Sequence, residues 1–256
     1  MLKRAIVRIP GSNFADGLTT VDLGVPKLEE VLQQHALYCD ALRECGLELT
    51  VLEADLRHAD STFVEDTAVL TPEAAIFCRP GAASREGEVV AIRPAVERFY
   101  SSTFTIEAPG TVDGGDICEA GTHFFIGLSH RTNEEGASQL ATCLNALGYT
   151  ASTIDVRGMT TILHLKSGIS YIEDNTLVVM EEMASNPQFS RFELVRVSVE
   201  ESYGANCVRV NDHVLLAEGF PRLTADLEAR GFKPLTLKMS EFQKMDGGLS
   251  CLSLRF

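Results

Sequence analysis

Apolar and polar positions alternate along the chain in two rhythms. In "PKLEEVLQQHALYCDALRECG" the residues Leu28, Val31, Leu32, His35, Cys39, Leu42 and Cys45 recur at helical intervals, with Pro26 near the start and Gly46 after the end. This pattern predicts an amphipathic helix. "RTNEEGASQLATCLNALG" repeats the form, with Asn133 as cap, Leu140, Cys143, Leu144 and Leu147 as the apolar stripe, and Gly148 as the stop. Both helices are expected to pack on something flat. The other rhythm is short: "RAIVRIP", "LELTVLE", "AAIFCRP", "TFTIEAP", "HFFIGL", "NTLVVM", "NCVRVNDHVLLAE" and "CLSLRF" each predict a strand. Strands and helices alternate, which makes the class α/β.

A slower recurrence lies over this pattern. "VEDTAVLTPEAAIFCRPG", "DGGDICEAGTHFFIGLS", "IEDNTLVVM", "GANCVRVNDHVLLAEGF" and "DGGLSCLSLRF" each set a polar or glycine cluster just before a strand. Measured at Asp66, Asp116, Asp174, Asn206 and Cys251, the gaps are 50, 58, 32 and 45 residues. Spacings of this order suit repeated units stacked as a propeller or solenoid. Five units would bring all five clusters to one central face; ordinary turn chemistry before strands is the competing explanation.

Composition narrows the function. With 256 residues, 45% hydrophobic, and no compositional break or low-complexity linker, one domain spanning 1–256 is expected. No apolar run approaches the roughly 18 residues of a membrane span, and the start "MLKRAIVRIP" is unlike a signal peptide, so no membrane association and a cytoplasmic location are expected. Seven cysteines without a CxxC pair fit reduced thiols better than a disulfide framework. The formal charge of -14, with no Lys/Arg cluster, argues against nucleic acid as a partner and favours a cationic ligand.

The C-terminal "KMDGGLSCLSLRF" holds the most suggestive chemistry. Leu252, Leu254 and Phe256 alternate with Ser253 and Arg255, so Cys251 sits where a turn enters a strand, behind Gly247 and Gly248, which permit close approach. A buried inert thiol is the usual fate of such a cysteine; a nucleophile would need a base and an activating cation. Of six histidines, His164 in "TTILHLKSGISYIEDN" stands at the end of a strand-like run and is the candidate base, against the ordinary core histidine. Lys166 beside it reads as a surface charge. "APGTVDGGDICEAG" carries Asp113 and Asp116, and "HADSTFVEDTAV" carries Asp60, Glu65 and Asp66. Such acids could ligate calcium, although no EF-hand loop is present, or clamp a guanidinium through paired charge-assisted hydrogen bonds.

Taken in order, "DGLTT", "FVEDTAV", "RPGAASR", "IEAPGT", "TVDGGDI", "GLSHRTNEEGA", "LHLKSG", "GANC" and "MDGGLSC" resemble the dimethylarginine dimethylaminohydrolases of the guanidino-group-modifying superfamily. The resemblance runs nearly end to end. It implies a five-bladed α/β propeller of ββαβ-like modules, the pentein fold, around a central polar site. It also implies Cys251 as nucleophile, His164 as general acid and base, and Asp113 as the acid that orients or charges that histidine. Asp66, Glu65 and Asp246 would surround the guanidinium, while Asp60, Arg85 and Arg131 would read the α-amino and α-carboxylate end. Leu18 would belong to a lid loop, and Met245 would contribute main-chain contacts. Two positions depart from the pattern: Asp113 stands where some bacterial members carry Glu, and Met245 replaces a branched aliphatic residue.

The implied activity is hydrolysis of N-omega-methylated arginine to citrulline and methylamine or dimethylamine through a covalent S-alkylthiouronium, with no metal or organic cofactor. Within the same chemistry, an arginine deiminase or a thiol-dependent amidinotransferase remains open. Outside it stands a non-catalytic binder of arginine-like metabolites, or of zinc through Cys251 and His164. The expected partner is a small cationic amino acid, and a homodimer is compatible with an exposed apolar helix face.

Overall fold

Fifteen strands follow one another in the computed structural model, which describes residues 1–256: β1 (Arg4–Arg8), β2 (Glu48–Leu52), β3 (Ala68–Leu70), β4 (Ala75–Phe77), β5 (Thr103–Thr105), β6 (Ile117–Ala120), β7 (His123–Leu128), β8 (Thr150–Asp155), β9 (Ile169–Glu173), β10 (Thr176–Met180), β11 (Glu193–Val197), β12 (Val208–Val210), β13 (His213–Ala217), β14 (Lys233–Leu237) and β15 (Leu254–Arg255). Interleaved are α1 (Leu28–Glu44), α2 (Glu86–Val96), α3 (Glu134–Ala146), the single turn α4 (Leu165–Gly168), α5 (Pro221–Ala229) and the short α6 (Ser240–Gln243). The strands form five three-stranded sheets on one plan: an antiparallel pair, a crossover, and a third strand parallel to the second. In the fifth sheet the plan is completed by the two ends of the chain. There β15 pairs antiparallel with β1 at Ala5 and Ile6, and β1 pairs parallel with β2 across α1. This is the five-module α/β propeller that the family resemblance implied, and it agrees with the repeat spacing.

Local sequence explains most elements. The Asn133 side chain caps α3 by accepting from the Gly136 N–H at 2.7 Å, and Gly46 and Gly148 take left-handed φ values of 89° and 90° just beyond their helices. The buried stripe of α1 runs through Val31, His35, Tyr38, Cys39 and Leu42, whereas Leu28 and Leu32 are exposed. "NCVRVNDHVLLAE" is two strands, because Asn211 at φ 51° turns β12 into β13. Asp174, one of the five repeat markers, lies in the left-handed turn between β9 and β10. The polar cluster that opens this module is instead His164 and α4, ten residues earlier. Helices α2, with Pro94 inside it, and α5 escaped the periodic reading.

Apolar clusters fill the spaces between neighbouring sheets; Cys118 and Phe125 of one module meet Leu165, Ile169, Leu177 and Phe189 of the next. No helix is long and apolar enough to cross a membrane.

Each module's first strand is preceded by a short helical segment: single turns at Val64–Thr67, Gly114–Asp116, α4 and Ser250–Leu252, and the longer Val199–Ala205. Side chains tie these turns into a closed ring. Asp66 accepts from the Gly115 N–H at 2.7 Å, and Asp116 from the Leu165 N–H at 2.9 Å. Asn206 donates to the Lys166 carbonyl at 2.9 Å and accepts from the Ser250 N–H at 3.0 Å. The Ser250 hydroxyl then donates to Glu65 at 2.7 Å, which returns the ring to the first turn. The paired glycines make this approach possible. A Cβ at Gly114 would stand 2.0 Å from the Glu65 carbonyl oxygen, at Gly115 2.8 Å from His164 Nδ1, at Gly247 2.4 Å from the Phe63 ring, and at Gly248 2.4 Å from the Asn206 side chain.

Replacing Asn206 by Ala leaves the Lys166 carbonyl and the Ser250 N–H without partners, and each buried orphan costs about 1–3 kcal/mol. Urea unfolding of Asn206→Ala is expected to show a loss of about 2–4 kcal/mol. A loss within error of zero would mean that the ring contributes nothing to stability.

Candidate active site

One cleft at the ring is lined by Leu18, Asp60, Phe63, Asp66, Arg85, Arg131, Leu163, His164, Met245, Asp246, Gly247 and Cys251. The one-turn helices deliver its chemistry. Ser250–Leu252 presents Cys251, partly exposed into the cleft. The residue before α4 is His164, held extended at φ -129° and buried. Asp113 precedes the Gly114–Asp116 turn and is fully buried behind the imidazole.

His164 Nε2 lies 3.0 Å from Asp113 Oδ2, so the shorter acid does reach the ring. The other carboxylate oxygen of Asp113 accepts from the Gly81 N–H at 2.8 Å, which fixes its plane. Burial alone would drive His164 neutral. The carboxylates of Asp66, Asp116 and Asp113 outweigh that cost and raise its pKa to about 9. With Nε2 committed to Asp113, Nδ1 is the nitrogen left to exchange a proton with a ligand. The Cys251 thiol moves the other way for a nucleophile: burial, then Glu65 and Asp66, push it up to about 12. At neutral pH the cleft therefore holds a thiol and an imidazolium.

A chain of buried ions supports this pair. Arg85 donates to Asp66 at 2.6 Å, to both oxygens of Glu88 and to the Phe63 carbonyl. Burial opposes charge on Asp66, but Arg85, His164 and the Gly115 N–H hold its pKa down to about 2. Asp60 is shifted upward by burial, against the pull of Arg85, the Leu18 N–H and Arg131. Arg131 lies 3.9 Å from Asp113, its nearest carboxylate, leaving its guanidinium free for an anionic group.

The segment 17–21 covers the cleft. Leu18 N–H donates to Asp60 at 3.1 Å, Thr20 N–H to Asp246 at 2.5 Å, and the Thr19 hydroxyl to the Lys244 carbonyl at 3.0 Å. Asp246 adopts a left-handed φ of 55° to meet it. A ligand that needs Asp60 and Asp246 must therefore compete with the cover for them.

Of the residues singled out in the sequence, Leu18, Asp60, Asp66, Arg85, Arg131, His164, Met245, Asp246 and Cys251 meet in the cleft, with Asp113 directly behind. Glu65 does not line it. Its side chain turns into a separate cavity on the propeller axis, paired with Lys166 at 2.5 Å and Arg255 at 3.2 Å. Lys166 is correspondingly not a surface charge: its side chain is 16% exposed. Arg85 is committed to Asp66 and Glu88, which fits a supporting role better than direct reading of a carboxylate. Phe63, Leu163 and Glu88 were missed; only Glu88 carried a signal, as an acid three residues from Arg85 on one helix face.

Three ligand atoms of Asp66, Asp113 and His164 lie within 4.8 Å of one another, a spacing that a cation could bridge. Each is already engaged, Asp66 with Arg85 and Gly115, Asp113 with Gly81 and His164. Within the group only Asp113 is hydrogen-bonded to His164, and Asp66 acts on the ring by charge.

A five-module propeller whose opening turns gather a thiol, an imidazole and buried acids at one end of its axis is a protein of the pentein class. Comparison with known proteins resolves the class further. Residues 94–203 match the arginine deiminase family profile. The chain is 43% identical over its full length, and that of the relative, to N(G),N(G)-dimethylarginine dimethylaminohydrolase of Pseudomonas aeruginosa, and 33% identical to the Streptomyces coelicolor protein of the same name over 99% of this chain and 96% of that one. A cysteine-to-serine mutant of the Pseudomonas protein, complexed with citrulline, superposes with a TM-score of 0.97 over all of both chains. The N-terminal domain of ArgZ, 16% identical, shares the fold at a TM-score of 0.89, covering 100% of this chain and 97% of that one. The chain belongs to the dimethylarginine dimethylaminohydrolase family.

The folded pKa of His164 lies above its unfolded value of 6.5, so the stability it contributes is fully present below about pH 6.5 and is lost as pH rises through about 9. Between pH 6 and 10, unfolding free energies are expected to fall by about 3 kcal/mol more in the wild type than in His164→Gln. Parallel pH curves for the two proteins would show that the imidazolium is not held by these acids.

Proposed function

We propose that the protein hydrolyses N-omega-methylated arginine to citrulline and methylamine or dimethylamine, with the whole chain as one catalytic unit. The observation that carries this reading is the cleft itself: a partly exposed Cys251 in one cleft with an imidazole that Asp113 and its neighbours keep protonated, among acids suited to a guanidinium. Its nearest support from outside is the likeness to the Pseudomonas relative.

The resting thiol, pushed up to about 12, cannot attack a resonance-stabilised guanidinium carbon. A cationic substrate placed against it supplies what the protein lacks. Its positive charge offsets the carboxylates of Glu65 and Asp66, and the thiol proton leaves to solvent. Cys251 Sγ then bonds to the guanidinium carbon. The tetrahedral adduct collapses as the His164 imidazolium gives its proton to the methylated nitrogen, which departs as the neutral amine. An S-alkylthiouronium remains on Cys251. Water takes the amine's place and adds to the same carbon, and neutral His164 accepts its proton. As the C–S bond breaks, the hydroxyl proton of the adduct passes to the departing sulfur, which releases citrulline and regenerates the thiol.

Asp66 and Asp246 serve as partners of the guanidinium, Asp60 and the Leu18 backbone as partners of the α-amino group, and Arg131 as the partner of the α-carboxylate. Glu65 acts on the thiol through space, and Arg85 acts by holding Asp66. Met245, buried beside Asp246, shapes the wall through its backbone.

Citrulline and amine are measured together from asymmetric dimethylarginine, monomethylarginine and arginine. Wild type is expected to release dimethylamine and methylamine, and Cys251→Ser to release neither. Ammonia from arginine as the main product would replace this reading by that of a deiminase.

Alkylation of Cys251 provides a separate check. At pH 7 a cationic amidine-bearing haloalkyl reagent is expected to inactivate the protein at least about tenfold faster than its neutral amide analogue, since only the former offsets the local acids. Equal rates, after correction for intrinsic reactivity, would remove substrate charge from the account of thiol activation.

A further inference from the structure

Cys251 borders a second cavity, of about 190 Å³, which shares Leu163, Asp246 and Cys251 with the polar cleft. We propose that this cavity is the subsite for the substituent on the ω-nitrogen of the substrate, and that it admits alkyl groups larger than methyl. The proposal rests on the methylarginine hydrolase reading and adds to it a determinant of specificity.

Position is the first argument. To leave, the substituted nitrogen must take a proton from His164, so it must lie within hydrogen-bond reach of that ring. The chain on either side of the ring, Thr161, Ile162 and Leu163 before it and Ser167 after it, forms one wall of the cavity. A substituent on the nitrogen that faces the imidazole projects toward this wall.

Chemistry is the second. The polar cleft is lined by acids and guanidinium groups, whereas the cavity is walled by Val21, Leu23, Ile162, Met180 and Tyr203 with the neutral Thr161, Ser167, Ser202 and Gln243 among them, and its one carboxylate is the shared Asp246. The Tyr203 hydroxyl is already spent on the Gly247 carbonyl at 2.7 Å, and the Asn206 amide on Lys166 and Ser250. What remains there is the apolar surface together with the Ser167 and Ser202 hydroxyls and the Gln243 amide, and no charge other than Asp246.

Size is the third. Water occupies about 30 Å³ in the liquid, so a cavity of about 190 Å³ exceeds the needs of one or two methyl groups. Each further buried methylene is expected to lower KM about fourfold until the cavity is filled.

The test compares N-omega-methyl, N-omega-ethyl and N-omega-propyl arginine as substrates of wild type, Ser202→Phe and Ile162→Ala, side chains that line the cavity without lining the polar cleft. Wild type is expected to turn over all three, with KM falling along the series. Ser202→Phe should raise KM for the propyl substrate about tenfold or more while the methyl substrate changes less than about threefold. Should Ser202→Phe lose both activities through misfolding, Ile162→Ala decides the matter: it is expected to extend the preference to a butyl group. Wild-type rejection of the propyl substrate with normal turnover of the methyl one would overturn the proposal and leave the hydrolase reading standing, as would a uniform effect of both variants along the series. Failure of wild type on every methylated arginine would overturn the hydrolase reading, and this proposal with it.

Discussion

Five short helical segments meet at the axis of this propeller, and the hydrogen bonds between them set everything else. Asp66, Asp116, Asn206 and Ser250 each reach from one turn to the next, so that no module's opening strand is placed independently of its neighbours. Such bonds are short-ranged and directional. They demand that five backbones converge closely, which only the paired glycines at 114, 115, 247 and 248 permit. The requirement explains why the most polar stretches of the sequence are also among its most buried.

The same ring supplies the charges that act on His164. Asp66 both clamps Gly115 and helps hold His164 charged; Asp116 both clamps Leu165 and acts on the same imidazole. Structural and chemical roles coincide in single side chains. Removing one partner from such a buried network leaves the others uncompensated, so substitutions at the ring carry costs in folding as well as in chemistry. The cleft sits at the propeller axis because that is where the repeat itself concentrates buried polar groups.

The outline of this arrangement was legible in the sequence. Alternation gave the class, and the recurring polar clusters gave the five modules, because each cluster is an opening turn that has to be polar to join the ring. The third marker slipped from His164 to Asp174 because the true opening turn, "LKSG", carries no acid, whereas the hairpin turn "EDN" does. Lys166 and Glu65 were misplaced for a related reason. Charge on a sequence reads as solvent exposure or as ligand contact, while here the two charges satisfy each other inside the axis. Helix α2 hid because Pro94 interrupts its pattern and its face is shared with the charged Arg85–Glu88 pair. The gathering of Leu18, Asp60 and Asp246 depends on the left-handed backbone at Asp246, for which an aspartate gives little warning.

Glu65, bridged to Lys166, Arg255 and Ser250, stops the axis like a cork. The cavity beyond it and the cleft before it have no lining residue in common. A propeller is often pictured as a tunnel, but this one is a well. Nothing passes along the axis beyond Glu65, so arrival, the departure of one fragment, the entry of water and the departure of the other are confined to the cleft and the cavity that adjoins it at Cys251.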